Sequence, residues 1–270
     1  MLFVRSFFLK IYIFSLKNFL GFFSIKKLRN SSSRNSYEAK ILKDVILEKT
    51  NLFKINVKRL NINKNKFIFE DAILLKNTIK QKNIYNILDV GGGGGTLYYI
   101  FKKFFPNKKF NWFILETKSL TRSFSLKNTD KNLFFFSGNK NIKDIQFDLV
   151  IMSSSLIYLS KPYDYLKNLL SLKAKYIYIS RTYLSDIVEK DTIPTIIMQK
   201  TLLSENGPGP LSSRFKDQLI CYPFRLLNKL ILEKIMKKKY RLLFSKKDKN
   251  NFIKINFKKY FDFTYLWKLN

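Results

Sequence analysis

The chain has 270 residues, 46% of them apolar, enough for one sizeable packed domain with an extension. It contains no histidine and a single cysteine, Cys221. Ser-His and Cys-His nucleophile systems, His-based zinc sites, His general bases and intramolecular disulfides are therefore excluded, and a reducing, cytoplasmic compartment fits. The formal charge of +32 points at face value to nucleic acid or an anionic membrane. A compositional cause competes: alanine occurs only at Ala39, Ala72 and Ala174, while Lys, Asn, Ile, Phe and Tyr abound, a bias that an AT-rich genome produces by itself. No nucleic-acid motif is present, and no specific nucleic-acid partner is expected.

Residues 1–28 are strongly apolar but interrupted by Arg5, Lys10 and Lys17, so no run of about 18 apolar residues exists to span a bilayer or form a signal-peptide core. Wound as a helix, the segment carries Ser6, Lys10, Lys17, Gly21 and Ser24 on one narrow stripe. Such a helix, assigned to 1–30, suits peripheral association with an anionic membrane, or docking on the main domain or a partner. The polar, serine-rich stretch 30–36 marks a boundary. A domain over 37–270 follows, beginning with a helical extension over 37–82 (helices at 37–50 and 69–82, with an Asn/Lys-rich loop between).

The rest is organised around Asp89-Val90-Gly91-Gly92-Gly93-Gly94-Gly95-Thr96. An apolar run, 84–90, ends in a carboxylate and five consecutive glycines, and a stretch of helical period follows. Strand, glycine turn and helix seat a nucleotide-like ligand at the carboxyl end of a parallel strand. The dinucleotide frame Gly-x-Gly-x-x-Gly ends here on Thr96 or Leu97, and the P-loop Gly-Lys-Ser/Thr is missing. Glycine instead stands at alternate positions Gly91, Gly93 and Gly95, starting two residues past Asp89. An acid at the strand end suits a ligand carrying an ammonium group, whereas beside a pyrophosphate it would repel. S-adenosylmethionine has such an ammonium, and its carboxylate can face the positive N-terminus of the following helix. The next strand, 110–116, ends on Glu116, where a carboxylate accepts hydrogen bonds from two adjacent ribose hydroxyls.

Strands are expected at 84–90, 110–116, 132–137, 147–153 and 175–180, in the βαβ spacing of a parallel sheet covered on both faces. Ser154, Tyr158 and Arg181 fall at the strand ends where such sheets bind ligands. A long insertion with Gly-Pro-Gly-Pro at 207–210 follows, then a helix over 214–237 and a closing strand pair at 239–246 and 253–266.

At Asp89 to Thr96 with Glu116, the chain resembles class I S-adenosylmethionine-dependent methyltransferases. Through Ser153-Ser154-Ser155-Leu156-Ile157-Tyr158-Leu159, Tyr178-Ile179-Ser180-Arg181-Thr182, Met198-Gln199 and Cys221-Tyr222-Pro223, it is similar to a bacterial methyltransferase family linked to surface-polysaccharide gene clusters. The resemblance covers roughly 37–266 and implies a Rossmann-like, seven-stranded methyltransferase sheet with helices on both faces. It implies methyl transfer from S-adenosyl-L-methionine to a sugar or glycan precursor, or another small-molecule acceptor, without a metal. By it Asp89, Gly91, Gly93, Gly95 and Glu116 bind cofactor, Ser137 with its neighbours Gly138 and Asn139 reaches the adenine, and Arg181 and Tyr158 sit in the active cleft. Asp186, Glu189 and Asp191 are the carboxylates available as a general base. A nicotinamide-dependent oxidoreductase and a non-catalytic, membrane- or partner-binding member of the fold are the alternative readings.

Overall fold

The structure, a computed structural model, describes residues 22–24, 40–66, 68–138, 142, 144–186, 194–255 and 258–270. The helix expected over 1–30, and its membrane role, lie outside the described residues except at Phe22–Ser24, which form a short strand, β1. No helix among the described residues is long and apolar enough to cross a membrane.

Two helices precede the sheet, α1 (Lys40–Asn56) and α2 (Glu70–Leu75), the second much shorter than the expected 69–82. Then β2 (Ile84–Val90), β3 (Lys109–Leu115), β4 (Leu133–Phe136), β5 (Leu149–Ser153) and β6 (Tyr176–Ser185) appear where the apolar runs place them. The connecting helices are α3 (Thr96–Phe104), α4 (Lys118–Ser125) and α5 (Pro162–Leu169). Their starts follow from local chemistry. Gly95, at φ +90°, turns the chain into α3. The Thr117 hydroxyl accepts from the Leu120 N–H to cap α4, and Pro162 occupies the first turn of α5.

The sheet runs β4-β3-β2-β5-β6 with every neighbouring pair parallel. It then continues through β10 (Lys258–Leu269), antiparallel to β6, and β9 (Tyr240–Ile255) outside it. These seven strands are a Rossmann-like sheet closed by its terminal hairpin, with the strand number expected. Strand side chains alternate between faces, and both faces are buried. Leu88, Val90, Val150, Met152, Ile177 and Ile179 pack with α5 and with α6 (Lys229–Met236), while Ile87, Leu149, Ile151 and Tyr178 pack with α2 and α3.

Three further strands were not expected. Within the insertion, β7 (Thr195–Leu202) pairs antiparallel with β8 (Leu219–Asn228) on one side and with β1 on the other. Through Leu184 and Ser185 of β6 this annex joins the main sheet, making ten strands in all among the described residues. The helix expected over 214–237 is thus confined to its last third. Ile220, Tyr222, Phe224 and Leu226 are buried at period two, and pairing with β7 satisfies the backbone that a helix would otherwise satisfy internally.

Among the described residues β9 pairs with β10 alone and forms the outer strand. Leu242, Leu243 and Phe244 are exposed there, Leu243 at 46%.

Candidate functional site

The glycine turn sits in a gap that only glycines fill. A Cβ on Gly91, which has φ +71°, would lie 2.6 Å from Cβ of Ser155. A Cβ on Gly92 would lie within 2.3 Å of an Asp89 carboxylate oxygen. The backbone is thereby pressed onto Asp89 on one side and β5's exit on the other.

Asp89 is 1% exposed, and one carboxylate oxygen accepts from the Trp112 indole N–H at 3.1 Å. Burial pushes its pKa up to about 7; the indole and the Arg181 guanidinium oppose that rise, and the Glu116 and Asp71 charges add to it. Glu116 is tied to the same turn: Oε1 accepts from the Gly93 N–H at 3.1 Å and Oε2 from the Thr117 N–H at 2.9 Å. Burial raises its pKa too, against those two bonds. Two carboxylates from neighbouring strand ends therefore bracket the glycines, each with acceptor capacity left over.

Ser154 (φ 58°), just past the end of β5, and Arg181 (φ 51°), midway along β6, are non-glycine residues in the left-handed region. Such strain is retained where the surroundings over-determine it. Arg181 Nη2 donates to Asp71 Oδ2 at 2.7 Å, and its Nε to Ser153 Oγ at 3.0 Å. Asp71 is buried on α2 and also accepts from the Tyr178 hydroxyl at 2.8 Å. The guanidinium is thus already held by a carboxylate and a serine, rather than waiting for an anion.

Two cavities meet at Gly91 and Ser153, which line both. One, of about 480 Å³, runs from Glu116 and Thr117 past Ser155 to Tyr158 and to Gln199 and Tyr222 of the annex. The Tyr158 hydroxyl donates to Gln199 Oε1 at 2.9 Å, and its ring stands edge-on to Tyr222 and Phe224. The Ser155 hydroxyl, in a residue 8% exposed, has no hydrogen-bond partner among the described residues. The other cavity, of about 640 Å³, holds Asp71, Asp89, Gly92, Thr96, Arg181 and Lys49 against an apolar wall from α1, α3 and the 208–210 turn.

Of the residues expected from sequence, Asp89, Gly91, Glu116, Tyr158 and Arg181 line this pair of cavities. Gly93 and Gly95 support the turn from behind, Gly95 capping α3. Ser137 lies exposed just beyond β4, which ends at Phe136, and lines neither cavity. Asn139 lies outside the described residues. Asp186 is likewise displaced: it pairs with Lys229 at 3.7 Å and with Lys247, and lines neither cavity. Glu189 and Asp191 lie outside the described residues. Lys49, Asp71 and Ser155 were missed. Asp71 and Lys49 belong to helices whose tertiary position no local pattern encodes, while Ser155 stood in the motif 153–159 without a signal separating it from its neighbours.

No family model matches the chain, and no curated protein matches it. Among solved structures, it is similar to the PH0226 protein from Pyrococcus horikoshii OT3 (TM-score 0.47, 11% identity, 79% of this chain and 93% of that one). The LepI complex with SAM has a TM-score of 0.45 and 10% identity, over 73% of this chain and 46% of that one. A SAM-dependent methyltransferase from Aquifex aeolicus has a TM-score of 0.40 and 16% identity, over 75% of this chain and 91% of that one. At these identities and scores, none of the three assigns an activity to this chain.

Proposed function

We propose that this chain is an S-adenosylmethionine-dependent methyltransferase. The observation that carries the reading is the buried Asp89 carboxylate beneath a glycine turn that leaves no room for a Cβ, with Glu116 tied to the same turn from the next strand end. A buried acid of raised pKa suits an ammonium ligand and disfavours the pyrophosphate of a dinucleotide. The orphaned Ser155 hydroxyl indicates a polar ligand in the adjoining cavity. Calorimetry tests the reading directly: S-adenosylmethionine and S-adenosylhomocysteine are expected to bind and NAD is not. Tight NAD binding would overturn it.

In this reading Asp89 holds the ammonium, Glu116 accepts from the ribose hydroxyls, and the N-terminus of α3 faces the carboxylate. When bound, the cofactor supplies an activated methyl group on a sulfonium. The protein's task is then chiefly placement of the acceptor in line with it. Tyr158 and Gln199 form a neutral hydrogen-bonding wall for a hydroxylated acceptor, Gln199 keeping its amide N–H groups free of protein partners among the described residues. That wall, together with the resemblance carried by the motifs at 153–159, 178–182 and 221–223, supports a sugar or glycan precursor of surface polysaccharide as the acceptor.

Arg181 positions the junction of the two cavities by bridging α2 to β5. Arg181→Lys is expected to leave S-adenosylhomocysteine affinity within about threefold but to lower turnover by at least tenfold, since an ammonium cannot bridge Asp71 and Ser153 as a planar fork does. Labelled-methyl transfer to a panel of sugar precursors measures this. Unchanged turnover would reduce Arg181 to a structural tie between α2 and the sheet.

A further inference from the structure

Lys49 is the one strongly buried lysine in the wall of the larger cavity. It is 2% exposed and reaches that wall from α1. Its ammonium donates to the Ser204 carbonyl at 2.7 Å and forms no ion pair among the described residues. Burial lowers its pKa, and the more distant Asp217 offsets this in part. The backbone at Gly207, φ +75°, folds over it: a Cβ there would lie 3.7 Å from that of Lys49. A cation with one neutral acceptor, shut away from water, is costly unless something of opposite charge joins it.

The carboxylates of the same cavity do not serve. Asp71 is taken by Arg181 and Tyr178, and Asp89 lies beneath the glycine turn, bonded to Trp112. Arg181 already has its carboxylate in Asp71, so Lys49 is the cation of this cavity that lacks an anionic partner among the described residues. The remaining wall is mainly apolar, with Leu52, Phe53, Leu60, Ile68, Ile100 and Pro208 among its residues and Asn56, Thr96 and Ser153 as neutral polar ones. That pairing fits a ligand with an apolar body and one acidic group.

We infer that Lys49 is the anion receptor of this cavity and holds a carboxylate or phosphate group of the bound small molecule. Two molecules have that chemistry at hand, the carboxylate of the cofactor and an acidic group on the acceptor. The inference rests on the methyltransferase reading for the ligand's identity, not for the site itself.

The test compares the full chain with Lys49→Met, which keeps an unbranched stem and removes the charge. Lys49→Gln, which keeps a donor for Ser204, guards against a folding defect. The first arm is thermal unfolding of the ligand-free protein in sodium phosphate against sodium chloride of equal ionic strength. Phosphate is expected to raise the Tm of the wild type and not of the variants. The second arm is calorimetry with S-adenosylhomocysteine and with 5′-methylthioadenosine, which keeps the nucleoside and thioether but lacks the amino acid. Loss of about tenfold in affinity for the first, with the second within about twofold, assigns the anion to the cofactor. Unchanged affinity for both, with the phosphate effect lost, assigns it to the acceptor. If neither nucleoside binds any of the proteins while the phosphate effect still depends on Lys49, the cofactor reading fails and the anion site stands. Identical behaviour of wild type and variants in both arms overturns the inference.

Discussion

Asp89→Asn is expected to weaken S-adenosylhomocysteine binding by about 1–3 kcal/mol, roughly five- to 150-fold, the cost of losing a charged partner for a buried ammonium. The larger signature is in the pH dependence. Burial raises the Asp89 pKa to about 7, so below that pH the ligand-free protein holds the group protonated. An ammonium ligand needs the carboxylate, so binding must expel that proton. Affinity should therefore rise between about pH 6 and pH 8, with proton release seen by calorimetry in buffers of different ionisation enthalpy. Stability of the ligand-free protein runs the other way. A carboxyl group whose pKa is raised on folding contributes stability that is fully present below its unfolded pKa of about 4 and is lost as pH rises through about 7. The cofactor should thus stabilise the protein most on the alkaline side of that window. The Asn variant should show neither trend through this group. A pH-independent affinity in the wild type, or a wild-type Kd in the variant, would remove Asp89 from the ammonium site.

Gly91→Ala should be the most damaging of the single-methyl additions in the turn, destabilising the fold by about 2–5 kcal/mol. The added Cβ meets Ser155 at 2.6 Å, and the residue must hold φ at +71°. Overpacking contributes about 1–3 kcal/mol and the left-handed backbone about 1–2 kcal/mol. Gly93→Ala is the matched control. It has φ +57° but nothing within 4 Å of the new methyl, so only the backbone cost of about 1–2 kcal/mol applies. Urea unfolding of both variants separates crowding from strain. Equal losses would mean that the approach of the turn to Ser155 is not tight in solution.

The parallel strands were legible because each is an apolar run of fitting length between turn residues, and burial on both faces demands such runs. The glycine turn was legible for the same reason that it is intolerant: three of its positions require positive φ, three lie against neighbours too close for a side chain, and few sequences but glycine serve there. The annex was not legible. Around Leu226-Leu227 and Leu230-Ile231-Leu232 the residues satisfy helical spacing, and β8 is decided by a partner strand about twenty residues away whose pairing no local pattern announces. The same holds for the Asp71–Arg181 pair, separated by 110 residues and joined only because α2 packs at the mouth of the sheet. Ser137 shows how far strand position alone reaches: it stands just past the end of β4, as read from the sequence, yet lines neither cavity.

The outer strand β9 has a consequence for how the protein behaves at high concentration. It is 16 residues long, has no strand partner among the described residues on the side away from β10, and carries the exposed run Leu242-Leu243-Phe244. Another chain could template on such an edge. Its protection is electrostatic: Lys238, Lys239 and Arg241 stand just before the apolar run and Lys249 just after it, alongside Lys237, Lys246 and Lys247, which pair with Glu233, Glu70 and Asp186. Repulsion between like-charged edges reaches about 10 Å at 0.1 M salt but only about 3 Å at 1 M. Self-association, followed by light scattering, should therefore grow with sodium chloride and be suppressed by Leu243→Lys. In that sense the lysines of this edge act as a colloidal safeguard, keeping copies of the chain apart at a place where the fold itself offers them a way to join.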